Sequence, residues 1–264
     1  LQHDVVRVPR VLARHIPNGF LLLEDLGHTT LLDTLDSGNA DSWFDAAITQ
    51  LLAIQAIAPA PDMPRYDAEL LERELNLFTD WFVQRELGIA LGDKARRVWN
   101  HACACLVEHA LSQSTVLVHR DFMPRNLMPV DGGLAVIDFQ DAVVGPVAYD
   151  PVCLFKDAFV SWPEPRVYGW LRHYHERAAE AGLPVPGWER FQRDADLIGV
   201  HRHLKVIGIF ARLKHRDGKP KYLADVSRFI HYLDAVLPEY AQLAPLQKLL
   251  HEQLWPAWRA GHAQ

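Results

Sequence analysis

VLVHRDFMPRNLMPVDGGLAVIDFQD, residues Val116–Asp141, decides how the rest of the chain is read. Val116, Leu117 and Val118 predict a short strand running into His119-Arg120-Asp121, and Leu127–Val130 and Leu134–Ile137 flank Asp131-Gly132-Gly133 as a β-hairpin with a glycine-bearing turn. Asn126 enters one strand and Asp138 leaves the other. Pairing therefore brings these two positions, twelve residues apart in sequence, to the same end of the hairpin. Asp121 lies five residues before Asn126, close enough for the loop to double back. The resulting cluster is rich in oxygen and free of sulfur, which suits Mg²⁺ with retained waters and substrate phosphates and does not suit zinc.

The spacing H-R-D-x-x-x-x-N followed by D-F resembles the catalytic loop and metal-binding aspartate of the protein-kinase-like superfamily. The resemblance implies that Asp121 is the catalytic base and that Asn126 and Asp138 hold Mg²⁺ on the phosphates of ATP. One departure narrows it: Gln140, not glycine, follows Asp138-Phe139, and no A-P-E segment comes later. The I-D-F-x-D pattern is similar to the aminoglycoside-phosphotransferase-like branch, which phosphorylates hydroxyls of small molecules. The implied fold class is α+β, a bilobal kinase-like fold whose large lobe is mostly helical around a catalytic β-hairpin.

Composition agrees with a compact domain. At 264 residues the chain is long enough for one sizeable core or two unequal lobes. No apolar run reaches the roughly 18 residues needed for a membrane span, and LQHDVVRVPR at the start lacks signal-peptide architecture. Cys103, Cys105 and Cys153 form no disulfide framework, so a reducing, cytoplasmic compartment is expected, with the cysteines as core fillers. Residues 1–150 carry 11 Lys/Arg against 21 Asp/Glu, and residues 151–264 carry 16 against 12. Neither half has the basic excess of a nucleic-acid-binding domain.

From the start, Val5–Leu12 reads as extended around Pro9, and Gly19–Leu23 as a strand ending in Glu24-Asp25-Leu26-Gly27. The resemblance makes Glu24, Asp25 and Leu26 the candidate hinge, whose backbone meets the adenine edge. A kinase-like small lobe should also supply a glycine-rich turn, a lysine and its paired glutamate. Residues 1–23 contain no lysine and one glycine, Gly19. The expected division is therefore a small-lobe remnant with hinge over 1–27 and a large lobe over 28–264, the chain beginning late in the small lobe.

Helices follow. Asp41 or Asn39 can cap one running to about Ala58, before Pro59 and Pro61. Asp67 can cap a second, with Leu71, Leu75, Phe78 and Phe82 on one stripe, and Gly92-Asp93 opens a third that ends near Ser112. The aromatic residues Trp43, Phe78, Trp81, Phe82 and Trp99 are read as packing. Gly145–Asp150 reads as a turn into another helix, with Asp150 as its cap before Pro151 and a structural role only. Further helices are expected at about 164–182, 187–213, 221–236 and 244–254.

His201–Tyr222, HRHLKVIGIFARLKHRDGKPKY, holds seven Lys/Arg against one acid, Asp217, with three histidines. Such a run reads either as a solvated helix face or as a basic surface on the substrate side, and the second reading predicts a neutral or anionic acceptor and disfavours a polycationic one. Together with LVHRDFMPRNLM and VIDFQDAVVGPVAYD, it is similar to the cell-wall-recycling sugar kinases that act on the anomeric hydroxyl of N-acetylmuramate and N-acetylglucosamine. That likeness implies a small amino sugar as partner and leaves the oligomeric state open. Candidate acceptor contacts are Asp141, Arg125, Arg202, Lys205 and Arg212, although side chains two or three apart on a helix diverge. Asp141 has three readings: the metal through water, the acceptor, or a brace for the loop. Arg125 has three, phosphate, acceptor or an ordinary exposed loop arginine, and His119 is expected to pack and hydrogen-bond within the loop. The alternatives to the sugar kinase are another small-molecule kinase on the same scaffold and a non-catalytic kinase-like binding protein.

Overall fold

The computed structural model describes residues 6–262; Val5, the head of the expected stretch Val5–Leu12, lies outside the described residues. The chain opens with strands β1 (Val11–His15) and β2 (Phe20–Leu23), then helices α1 (Leu31–Thr34), α2 (Ala40–Gln55) and α3 (Ala68–Leu77). A π-helical segment, Phe78–Glu86, leads to α4 (Asp93–Leu111). Four short strands follow: β3 (Thr115–Val118), β4 (Leu127–Val130), β5 (Gly133–Val136) and β6 (Val143–Pro146). The remainder is helical: α5 (Tyr149–Phe155), α6 (Glu164–Glu180), α7 (Trp188–Asp217), α8 (Val226–Val236), α9 (Ala244–Leu249) and α10 (Trp255–Gly261). Among the described residues no helix is long and apolar enough to cross a membrane.

Contacts divide the chain into two compact units, residues up to Arg65 with Ser114–Phe191, and Tyr66–Gln113 with Gln192 onward.

In the first unit, β4 and β5 pair antiparallel from Leu127↔Val136 to Val130↔Gly133, with Gly132 at φ 85° in the turn. That conformation is open to glycine without steric cost. β3 pairs with β6, Val116 opposite Gly145 and Val118 opposite Val143. The sequence predicted only a turn around Gly145-Pro146. β6 forms because Val143 and Val144 are buried strand-formers, and Pro146, which lacks an N–H, sits at the strand's end. Behind these strands α2 buries Phe44, Ala47, Ile48 and Leu51. Its last residue, Gln55, is also buried. The Gln55 side chain donates to the Val147 carbonyl (3.3 Å) and accepts from the Tyr174 hydroxyl (2.6 Å), so it links α2, the approach to α5, and α6. β1 and β2 form an antiparallel pair that is exposed along its whole length.

In the second unit, Asp67 caps α3 as expected, its carboxylate accepting from the Leu70 N–H at 2.9 Å. The stripe Leu71, Leu75, Phe78 and Phe82 is buried, and Phe78 stacks on Phe82 and Trp99 with ring centroids 5.2 and 5.3 Å apart. Gly208 of α7 lies against the junction of α3 with the π-helical segment. A Cβ there would stand 2.3 Å from the Leu77 carbonyl carbon and 2.5 Å from its oxygen.

Backbone cannot retreat as a side chain does, so Gly208→Ala is expected to destabilise the protein by about 2–3 kcal/mol in urea unfolding. Gly169→Ala in α6, where a Cβ meets nothing within 4 Å, should instead be neutral or stabilise by roughly 0.4–1 kcal/mol.

Candidate active site

The loop between β3 and β4 carries the catalytic-loop motif, and buried groups hold it in place. Asp150 is not the cap of α5: that position belongs to Ala148, and Asp150 sits in the first turn, 0% exposed. Its carboxylate accepts from two successive backbone N–H groups, His119 to Oδ2 at 2.7 Å and Arg120 to Oδ1 at 3.0 Å. Arg120 adopts φ 75°, a region that costs a non-glycine residue about 1–2 kcal/mol. The Arg120 carbonyl accepts from the Cys153 thiol at 3.2 Å, and its guanidinium donates to the Asp141 carbonyl at 3.3 Å. The strained residue is thus held at its N–H, its carbonyl and its side chain.

His119 ties the loop to the residue that leaves the hairpin. Its Nε2 lies 3.0 Å from the Ile137 carbonyl, and its Nδ1 accepts from the Asp121 N–H at 3.3 Å. This pattern is that of a neutral imidazole protonated on Nε2. Burial holds the His119 pKa below its ordinary value, against the opposing effects of the Ile137 hydrogen bond and the nearby Asp121 and Asp138 charges. His119 therefore positions neighbours.

These bonds bring the three oxygen-bearing residues of the motif together. The Asn126 amide nitrogen donates to the Asp121 carbonyl at 2.9 Å, and the Ile137 N–H donates to the Asn126 carbonyl at 3.0 Å. Asp138, at φ 66°, follows Ile137 directly. Among the described residues no group hydrogen-bonds the Asp121 carboxylate, and none bonds the Asn126 side-chain oxygen. Asp138 is exposed and accepts one bond, from Gln140 at 2.8 Å. The donor set of Asn126 and Asp138 is oxygen only, with lone pairs to spare. It fits a hard divalent cation that keeps waters and shares phosphate oxygens.

At the expected hinge, Glu24 is committed to its own unit. Its N–H donates to the Arg10 carbonyl at 2.8 Å, and its carboxylate takes both arms of Arg7 at 2.8 Å each. The Arg7 guanidinium, with help from Arg10, pulls the Glu24 carboxyl down to about 2. Asp25 accepts from the Gly27 N–H at 2.8 Å. The main-chain groups of Leu26 make no hydrogen bond among the described residues.

The acceptor candidates separate. Asp141 and Arg125 lie in the first unit with exposed side chains. Arg202, Lys205 and Arg212 lie on α7 within the second unit. Arg202 is buried, and the Lys205 ammonium is 2.8 Å from Glu74, which also accepts from the Tyr66 hydroxyl. Arg212 is half-buried. Farther along, Lys214 and His215 both close on the buried Glu86, at 2.8 and 2.7 Å. Much of the basic stretch is neutralised by carboxylates of its own unit. The acids that do so, Glu74 and Glu86, lie more than a hundred residues upstream, where no local pattern marks them as partners.

Replacing the Asp150 carboxylate by an amide points a donor at a donor. Asp150→Asn is expected to cost about 2–3 kcal/mol in urea unfolding and to speed hydrogen exchange at the His119 and Arg120 amides specifically. Unchanged exchange there would mean that the loop is held otherwise.

The model of the family described as "Phosphotransferase enzyme family" matches residues 2–192. An N-acetylmuramate/N-acetylglucosamine kinase of Pseudomonas aeruginosa is 53% identical over 246 residues, which cover 93% of this chain and 73% of that protein. A kinase of the same name from Neisseria meningitidis serogroup B is 45% identical over 254 residues, 94% of this chain and 76% of that protein. Among solved structures, the ADP-bound aminoglycoside phosphotransferase APH(2'')-Ib superposes with a TM-score of 0.55 at 19% identity, over 86% of this chain and 75% of that one. The chain belongs to the phosphotransferase enzyme family and has its protein-kinase-like α+β fold.

Proposed function

We propose that the protein is an ATP-dependent sugar kinase that phosphorylates the anomeric hydroxyl of N-acetylmuramate and N-acetylglucosamine. One observation carries the chemistry. The Asp121 carboxylate has no partner among the described residues, yet its backbone is held through His119 and Asn126. A base that must accept a proton from substrate should be placed and left unoccupied in this way. The acceptor follows from the relatives of that name, which match across most of this chain.

Phosphoryl transfer runs through a loose transition state, so the protein's task is placement and charge compensation. Asp121 orients the anomeric hydroxyl and takes its proton as the oxygen attacks the γ-phosphate. An anomeric hydroxyl is more acidic than an ordinary sugar alcohol, so an ordinary carboxylate suffices. Asn126 and Asp138 would hold Mg²⁺, which supplies neutralisation of phosphate charge when bound. The open main chain of Leu26, after the hinge residues Glu24 and Asp25, would meet the adenine edge, with residues 1–27 read as small lobe and hinge. ATP as donor fits a cytoplasmic enzyme.

The test is Mg²⁺-dependent ATP consumption by the full-length protein with N-acetylmuramate, N-acetylglucosamine or kanamycin. Turnover of both N-acetyl sugars is expected, with loss of reducing-end reactivity because the anomeric oxygen becomes blocked. Turnover of kanamycin alone would overturn the sugar reading and keep the family. Asp121→Asn should lower kcat by on the order of 10²–10⁴ with little change in nucleotide affinity; substantial residual turnover would remove Asp121 from its role.

A further inference from the structure

Arg125 stands beside Asn126 in the short 3-10 turn Pro124–Asn126, and its two neighbours are buried while its own side chain is exposed. Three other arginines of this unit close on distant carboxylates: Arg7 on Glu24, Arg166 on Asp41 and Arg177 on Asp45. Arg125 does not. Its guanidinium lies over the Phe159 ring, 5.0 Å from the centroid, in the segment between α5 and α6. Among the described residues it forms no ion pair, and the nearby motif acids Asp121, Asp138 and Asp141 are not its partners. Phe159 is itself set in place, its N–H donating to Asp157 Oδ1 at 2.7 Å, and Asp157 is fully buried.

A guanidinium resting over an aromatic ring keeps its charge and loses much of its rotamer freedom, while the edge that bears its N–H fork can still meet a ligand. That edge matches a carboxylate in two parallel hydrogen bonds. Arg125 and Asp121 belong to one loop, which the Asn126 amide closes onto the Asp121 carbonyl. A ligand group held by Arg125 therefore sits at a set offset from the hydroxyl held by Asp121. The cation rests on Phe159 and makes no ion pair with Asp138, the carboxylate that would hold the metal, among the described residues. Its open donors suit an anion of the acceptor, and the test below separates that from the phosphates of the donor.

We propose that Arg125, braced on Phe159, recognises the carboxylate of acid-bearing amino sugars and so sets the preference between the two acceptors. The proposal rests on the sugar-kinase reading above. N-acetylmuramate and N-acetylglucosamine differ by one lactyl ether, whose carboxylate is the group Arg125 would hold. The contact assigns to this loop the anion recognition that the sequence suggested for Arg202, Lys205 and Arg212.

The test measures kcat/KM of the full-length enzyme and of Arg125→Met for N-acetylmuramate, its methyl ester and N-acetylglucosamine, with thermal melting as a check on folding. Removing a bidentate, charge-assisted contact should lower the N-acetylmuramate to N-acetylglucosamine ratio on the order of tenfold or more, carried mainly by KM. In the parent enzyme the methyl ester should lose a comparable factor, and in Arg125→Met acid and ester should become equivalent. Equal losses for all three sugars would overturn the proposal, assigning Arg125 to the phosphates or to loop structure. An unchanged ratio would overturn it as well. A parent enzyme that turns over neither free sugar would sink the sugar reading, and this proposal with it; that failure is seen before any variant is made.

Discussion

Two hydrogen bonds to one buried carboxylate hold the site: the His119 and Arg120 N–H groups on Asp150. A charged group with no solvent exposure is tolerable only when its oxygens are satisfied, because desolvation otherwise costs several kcal/mol. Asp150 meets that requirement through the main chain of the catalytic loop. In return the loop accepts a left-handed Arg120, which places His119 toward Ile137 and turns Asp121 outward. The polar network is connected from Asp150 through His119 to the open end of the hairpin, where Asn126 and Ile137 meet. Mutual satisfaction of this kind makes a buried network specific.

The two sides of this network divide the labour. Groups that determine geometry are buried and fully engaged: Asp150, His119 and the Asn126 amide nitrogen. Groups assigned to chemistry keep lone pairs unspent: the Asp121 carboxylate, the Asn126 oxygen and most of Asp138. The strained backbone at Arg120 and Asp138 lies between them, consistent with strain stored where a site must be held in one arrangement. Arg125 follows the same logic at the rim, braced by Phe159 on its face and open at its edge.

Charge behaves differently in the second unit. A run of seven cations looks like a surface for anions when only the run is considered. Folding sets Glu74 under Lys205 and Glu86 under Lys214 and His215, so those charges serve packing within that unit. Close approach at Gly208 shows how tightly α7 is fitted there, with no room for one methyl group against the Leu77 backbone.

Much of this was legible in the chain itself. The spacing of Asp121, Asn126 and Asp138, the Gly132 turn, the Asp67 cap and the stripe from Leu71 to Phe82 are local patterns, and local patterns survive without tertiary context. The β6 strand, the clamp by Asp150, the pairing of Lys205 with Glu74 and the rest of Arg125 on Phe159 were not legible. Each joins residues 25 or more apart, and no periodicity or capping rule connects such positions. Sequence alone determined which residue types stand at the proposed reacting centre and in what order, because motif chemistry depends on short spacings. Only the tertiary structure decided which charges remain free to meet a ligand, because a charge is spent or spared by whatever distant side chain folding brings beside it.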